Sequence, residues 1–170
     1  MIYLDTSALI KLYLIEAGSV ELQQLVASQE DPLPIWELQE AELINALRLK
    51  VFWNDINVAD ADGQIALFQR RKRKGFYYFP ELDRLSLMET FSRLSVHTSE
   101  LGCRTLDVLH VACAVLLAPD IFVSFDSRQR TLAGEAGLHV LDVANQSRHI
   151  RCRVFWVHPP GPGQRKLGVC

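Results

Sequence analysis

Three aspartates in this sequence stand beside apolar runs. Asp5 closes "MIYLD", Asp126 closes "IFVSFD", and Asp107 sits near the start of "RTLDVLHVACAVLLA". Each alone has an ordinary reading, because Asp is a favoured N-cap and a carboxylate in a first helical turn gains roughly 0.3 to 1 kcal/mol from the exposed N–H groups and the dipole. Three together ask for a shared purpose. Two carboxylates about 5 Å apart repel by roughly 3 kcal/mol at an effective dielectric of about 20, so a converging set must protonate, destabilise the fold or hold a cation. All-oxygen donors without histidine or cysteine suit Mg²⁺ or Mn²⁺ rather than zinc. A carboxylate-held Mg²⁺ suits phosphodiester chemistry, where it activates water and neutralises charge on the transferring phosphate.

A fourth acid is expected on the helix predicted for Glu37 to Trp53, and periodicity leaves two choices. Glu42 shares a face with Leu38, Asn45, Ala46 and Leu49, whereas Glu40 shares one with Trp36, Leu43, Ile44 and Leu47. Around the acids lie further polar groups. His110 follows Asp107 by three residues and reads as a satisfied, partly buried histidine or as a group that orients Asp107 or touches substrate. Arg104, Arg128 and Arg130 flank the third and fourth acids, where they suit phosphate contacts or ordinary surface pairing. Thr6 and Ser7 suit a metal or substrate contact, or a cap on the first helix. Neither G-x-S-x-G nor a glycine-rich phosphate loop nor H-E-x-x-H occurs.

The elements that must position these residues follow from hydrophobic spacing. "MIYLD" reads as a strand and "TSALIKLYL" as a helix; "SVELQQLVA" continues as a second helix, and "PLPIW" as a short strand or loop. Helices are predicted over Ala59 to about Lys74, stopped by Gly75, and over Leu85 to His97, with "FYYF" a brief extended piece between them. Thr105 is the predicted cap of the helix carrying Asp107. "IFVSFD" and "LHVLDV" read as further buried strands around the helix "RQRTLAGEAG". Strands alternating with helices predict an α/β fold with a parallel sheet and helices on both faces. In such sheets, sites form outside the carboxyl ends of the strands, which is where Asp5 and Asp126 fall.

The 170 residues, 49% of them hydrophobic, suit one globular domain. No apolar stretch reaches membrane-spanning length and the N-terminal segment has no basic start, so neither a span nor a signal peptide is expected. Cys103, Cys113, Cys152 and Cys170 form no C-x-x-C pair, which predicts reduced thiols and a cytoplasmic protein. The net charge of −2 hides a polarity: all 20 acids lie at or before Asp142, while Arg148, Arg151, Arg153, Arg165 and Lys166 lie beyond it. That tail, with its "PPGPG", reads as a dispensable extension beyond the core or as a basic arm that adds phosphate contacts. The run "RRKRKG", Arg70 to Gly75, reads as a solvated face or a nucleic-acid contact.

The segments "YLDTSALIKLY", "ELINALR", "LGCRTLDVLHVA" and "FVSFDSRQRTLAGEAGL" resemble, in order and spacing, the motifs of PIN-domain ribonucleases of the VapC toxin type. The resemblance covers residues 1 to 143 and leaves 144 to 170 as a basic C-terminal extension. It implies a three-layer α/β/α sandwich with a central parallel sheet, acting as a Mg²⁺- or Mn²⁺-dependent endoribonuclease. The metal and catalytic acids it implies are Asp5, Glu42, Asp107 and Asp126, which selects Glu42 over Glu40. Ser124 matches a position that commonly carries a hydroxyl near the metal; Thr6, Arg104 and Arg128, from their place beside the acids, are the further candidate substrate contacts. RNA, a cognate antitoxin protein and a second copy in a homodimer are the implied partners, and no membrane is implied. The alternative from another class is a PIN-fold module that binds RNA or protein without cutting. A haloacid-dehalogenase phosphatase would need a second Asp where Ser7 stands, and a receiver domain would need adjacent acids after the first strand.

Overall fold

The computed structural model describes residues 1–143. The basic tail and its "PPGPG" segment lie outside the described residues. The chain begins with β1 (Ile2–Leu4), all three residues buried, then turns into α1 (Thr6–Leu9) and a 3-10 turn (Ile10–Leu12). There follow α2 (Ser19–Ala27), β2 (Leu33–Pro34), the long helices α3 (Glu37–Phe52) and α4 (Val58–Arg73), and β3 (Tyr77–Tyr78). The second half holds α5 (Arg84–Leu94), a 3-10 turn (Ser95–His97), α6 (Thr98–Leu101), α7 (Thr105–Leu117), β4 (Ile121–Val123), α8 (Ser127–Glu135) and β5 (Val140–Leu141). None of the described helices is long and apolar enough to cross a membrane.

The result is a mixed α/β fold with small parallel sheets. β4 lies between β1 and β5, with Leu4 opposite Val123 and Phe122 opposite Val140, while β2 and β3 form a second parallel pair beside β1. Strand side chains alternate between faces, and here the alternation divides two apolar clusters. Ile2, Leu4 and Val123 pack with Leu9, Leu22, Leu43, Leu47 and Phe68, which come from α1 to α4. Tyr3 and Phe122 stack at 5.6 Å and pack with Leu94, Val111, Cys113 and Leu132, from α5, α7 and α8. Every strand among the described residues is only two or three residues long, so the helices and not the ladders carry most of the burial.

The capping reading of two acids is met: Asp5 caps α1 by accepting the Ala8 N–H at 2.8 Å, leaving Thr6 and Ser7 to other partners, and Asp126 caps α8. Several other local details differ from the sequence reading. The cap residue of α7 is Arg104, with Thr105 as the first helical residue. Asp107, at the third, accepts the Arg104 backbone N–H at 2.7 Å. Asn57 starts α4 one residue earlier than predicted, and α6 has too few residues to leave a periodic signal. The basic run splits by partner: the Arg71 guanidinium donates to the Leu12 carbonyl at 3.2 Å and Lys72 pairs with Glu40 at 2.7 Å, whereas Arg70, Arg73 and Lys74 are exposed.

Candidate active site

Parallel pairing of β1 with β4 sets Asp5 and Ser124 side by side just past the strand ends, with the Asp5 N–H donating to the Val123 carbonyl at 3.0 Å. Asp5 is 3% exposed and Ser124 2%. Burying a carboxylate is costly without hydrogen bonds, and this one accepts three: from the Ala8 N–H at 2.8 Å, from Ser7 Oγ at 2.8 Å and from Ser124 Oγ at 2.8 Å. Burial nevertheless dominates and raises the Asp5 pKa, against the lowering pull of His110 and these donors. Ser7 spends its acceptor lone pair on the Phe125 N–H at 2.8 Å, which ties α1 to the segment after β4.

Ser124 is also the hinge to the fourth acid. Its oxygen accepts the Asp126 N–H at 3.0 Å, and Asp126 caps α8 by accepting the N–H groups of Arg128 at 2.8 Å and Gln129 at 3.2 Å. Burial raises the Asp126 pKa, but those N–H groups and the Arg128 guanidinium, 3.4 Å away, outweigh it and leave the group lowered. Arg128 divides its guanidinium between Asp126 and the Gly102 carbonyl at 3.2 Å, and Arg130 donates to the Ser124 carbonyl at 3.1 Å.

Gln129, 1% exposed, carries the link across to α7. Its Oε1 lies 3.0 Å from Ser124 Oγ, and its Nε2 donates to the Asp107 carbonyl at 3.2 Å. Asp107 thereby stands beside the β4 edge with its carboxylate half-buried. The thiol of Cys103 registers the local field: burial raises its pKa first, and the negative charges of Asp107 and Asp126 raise it further.

On the other side, Thr6 Oγ1 donates to Glu42 Oε2 at 2.8 Å, and His110 Nε2 lies 2.6 Å from the same oxygen. Burial raises the Glu42 pKa, but the His110 hydrogen bond and charge, with Thr6, bring it below the ordinary glutamate value. His110 is 2% exposed and meets the Tyr3 hydroxyl at 3.0 Å through Nδ1. It therefore serves Glu42, Thr6 and Tyr3, not its helix neighbour Asp107. Glu40 turns the other way, to Gln69 at 3.0 Å and Lys72 at 2.7 Å on α4.

Backbone contacts of Asp107 and Asp126 and side-chain contacts of Asp5 and Glu42 thus bring the four segments together through Thr6, Ser124 and Gln129 near the ends of β1 and β4. Arg104 contributes only its backbone N–H to this arrangement. Among the described residues no three His, Cys, Asp or Glu side chains are grouped so as to hold a metal ion. The donor chemistry nonetheless fits a hard divalent cation. Asp126 alone of the four has a Lys or Arg ion-pair partner among the described residues, and the most buried carboxylate, Asp5, is held by hydroxyls and an N–H.

Sequence pattern did not single out Gln129, Gln39 or Tyr3. Gln39, 1% exposed, donates its amide to the Leu4 carbonyl beside Asp5. The one signal for Gln129 is its place three residues after the capping Asp126, which a surface glutamine would share. Comparison of the chain with protein-family models and with curated proteins found no match.

Proposed function

We propose that the chain is a Mg²⁺- or Mn²⁺-dependent endoribonuclease, a PIN-type three-layer α/β/α sandwich over residues 1–143 that acts as the toxin of a toxin-antitoxin pair. One observation supports the reading: Asp5, Glu42, Asp107 and Asp126, from four separate segments, are tied toward one sheet edge, Asp5 by its carboxylate and Asp126 by its backbone N–H on Ser124, Asp107 by its carbonyl on Gln129, and Glu42 by the hydroxyl of Thr6, the residue after Asp5. Burial still raises the Asp5 pKa against the pull of His110, so a bound cation would offset a cost that the side chains leave.

Asp5, Glu42, Asp107 and Asp126 would hold the ion, which when bound supplies an activated water and offsets charge on the phosphate. The chain's own residues set the stage. Ser7 and Ser124 fix the Asp5 carboxylate, His110 and Thr6 fix Glu42, and Gln129 sets the start of α7 against α8. The exposed Arg104 and Arg128 would serve as phosphate contacts, Arg128 on yielding part of its hold on Asp126. A cytoplasmic setting, a homodimer and an antitoxin that covers the acidic edge with a basic amphipathic segment complete the proposal.

The test is cleavage of RNA by the full chain with added Mg²⁺ or Mn²⁺. Cleavage that stops on chelation and falls at least ~100-fold in Asp5→Asn and Asp107→Asn is expected, since even outer-shell partners of a metal are worth about 10- to 100-fold. Undiminished cleavage by either variant sinks the mechanism.

A second reading, a PIN-type module that binds RNA or protein without cutting, draws on the absence of a grouped ligand set among the described residues and on the His110 and Arg128 contacts already made by Glu42 and Asp126. RNA binding without metal-dependent cleavage would select it.

A further inference from the structure

Lys11 is 7% exposed, yet it carries an ammonium group. Burying such a charge needs compensation, which Glu16 provides at 2.8 Å and the Phe125 ring face at 4.5 Å. Glu16 is itself shared, because Lys50 reaches its other oxygen at 2.8 Å. One carboxylate therefore serves two ammonium groups. The other partner of Lys50, Asp55, is half exposed at 3.1 Å, and surface pairs of that kind contribute only about 0 to 1 kcal/mol. Each ammonium has three donors and no acceptor.

A cavity of about 310 Å³ joins these cations to the candidate active edge, lined among others by Ser7, Lys11, Glu16, Lys50, Phe125 and Asp126. That volume falls at the lower end of small-ligand sites, roughly 300 to 1,000 Å³. Ser7, which holds Asp5, and Asp126, which caps α8, line the same cavity as the two lysines. A polyanion approaching four carboxylates needs more positive charge nearby than the rim arginines supply, since Arg128 is shared with Asp126 and the Gly102 carbonyl and Arg130 with the Ser124 carbonyl.

We infer that the Lys11, Glu16 and Lys50 cluster is a subsite for a backbone phosphate of RNA next to the one at the acids, with Lys50 as its direct contact and Lys11 as its fixed field. The inference rests on the ribonuclease reading for the direction in which the strand runs. Glu16 holds both ammonium groups at the cavity wall, and the Phe125 face keeps Lys11 from turning out to solvent.

The experiment uses the full chain and a set of short oligoribonucleotides, each with one neutral methylphosphonate linkage moved stepwise along the strand. In the wild-type protein one linkage flanking the cleaved bond should raise KM about tenfold, the scale of a lost charge-assisted hydrogen bond, with kcat little changed. In Lys50→Gln that same linkage should have no further effect. Lys11→Gln, whose melting is followed in parallel, should weaken the linkage effect; Lys50→Gln keeps the test valid where Lys11→Gln fails to fold. A linkage effect that persists in full in Lys50→Gln overturns the subsite while leaving the ribonuclease reading intact. If no oligonucleotide is cut, the same comparison is made on binding. A linkage effect erased by Lys50→Gln then keeps the subsite and removes the nuclease, and no binding at all removes both.

Discussion

Glu42 and His110 approach to 2.6 Å across the α3 and α7 helices, and Tyr3 on β1 holds the far nitrogen of the same imidazole. The pair therefore couples a half-buried carboxylate to the central strand. Glu42 has its pKa lowered in the fold, burial being outweighed by His110 and Thr6. Such a group stabilises the protein above the ordinary glutamate value of 4.5, and the contribution is lost as pH falls through its lowered value. In metal-free buffer Glu42→Gln should flatten the acid limb of the stability curve, whereas Glu40→Gln, losing an ion pair with the half-exposed Lys72, should cost no more than about 1 kcal/mol. Urea melts from pH 6 downward, about two units around that range, decide it; matching acid limbs for Glu42→Gln and wild type would refute the coupling.

Asp5 carries the opposite sign. Burial raises its pKa above the ordinary 3.8, so stability is greatest below that value and declines as pH rises through the raised one. At neutral pH and without metal, Asp5→Asn should therefore melt at or above the wild-type temperature, by up to about 1 kcal/mol equivalent, although it removes a hydrogen-bonded group. Calorimetry without metal reads this, and a clear loss of stability would mean that the carboxylate is fully compensated by its hydroxyl partners.

The coarse order of elements was legible because apolar runs and helical spacing recur along the chain. α2 matches its predicted span, Ser19–Ala27, and Gly75, at φ +75°, stops α4 where a left-handed residue is easiest. What periodicity could not carry was direction at atomic scale. Glu40 and Glu42 sit on similar apolar stripes, and only the packing of α3 turns one to Lys72 and the other to His110. Caps were legible in part: Asp5 and Asp126 cap α1 and α8 as their place before a helix suggested, whereas the cap of α7 falls one residue early, at Arg104 and not Thr105, because Asp107 accepts the Arg104 backbone N–H. Gln129 was invisible, since its role depends on a buried hydroxyl and a carbonyl brought together from distant segments.

Gln129 is the part of the network whose loss should be felt on both sides. Gln129→Met keeps the volume but leaves the Asp107 carbonyl without that amide and removes one partner of Ser124. A buried group left unsatisfied costs about 1 to 3 kcal/mol. Metal-dependent cleavage, if present, should fall about 10- to 100-fold through misplacement of Asp107, as when the supports of metal ligands are removed. Denaturation and kinetics on the purified variant check both; a stable variant with unchanged cleavage would show that α7 and α8 hold their places without it.

Gly18 and Phe125 give the last prediction. Gly18 has φ +86°, and a Cβ there would lie 2.6 Å from the Phe125 ring. Gly137 has a similar φ, +82°, but open space around it. Alanine at Gly137 should therefore cost only the left-handed strain of roughly 1 to 2 kcal/mol. Alanine at Gly18 adds a clash that must push the ring, and with it the backbone between Ser124 and Asp126. Gly18→Ala should accordingly melt below Gly137→Ala, and Phe125→Ala in its background should recover the excess, since the double change removes the clash. Thermal melts of the three variants and the double variant read the difference directly. Equal losses at Gly18 and Gly137 would mean that Phe125 swings away freely and does not brace the edge that carries Asp126.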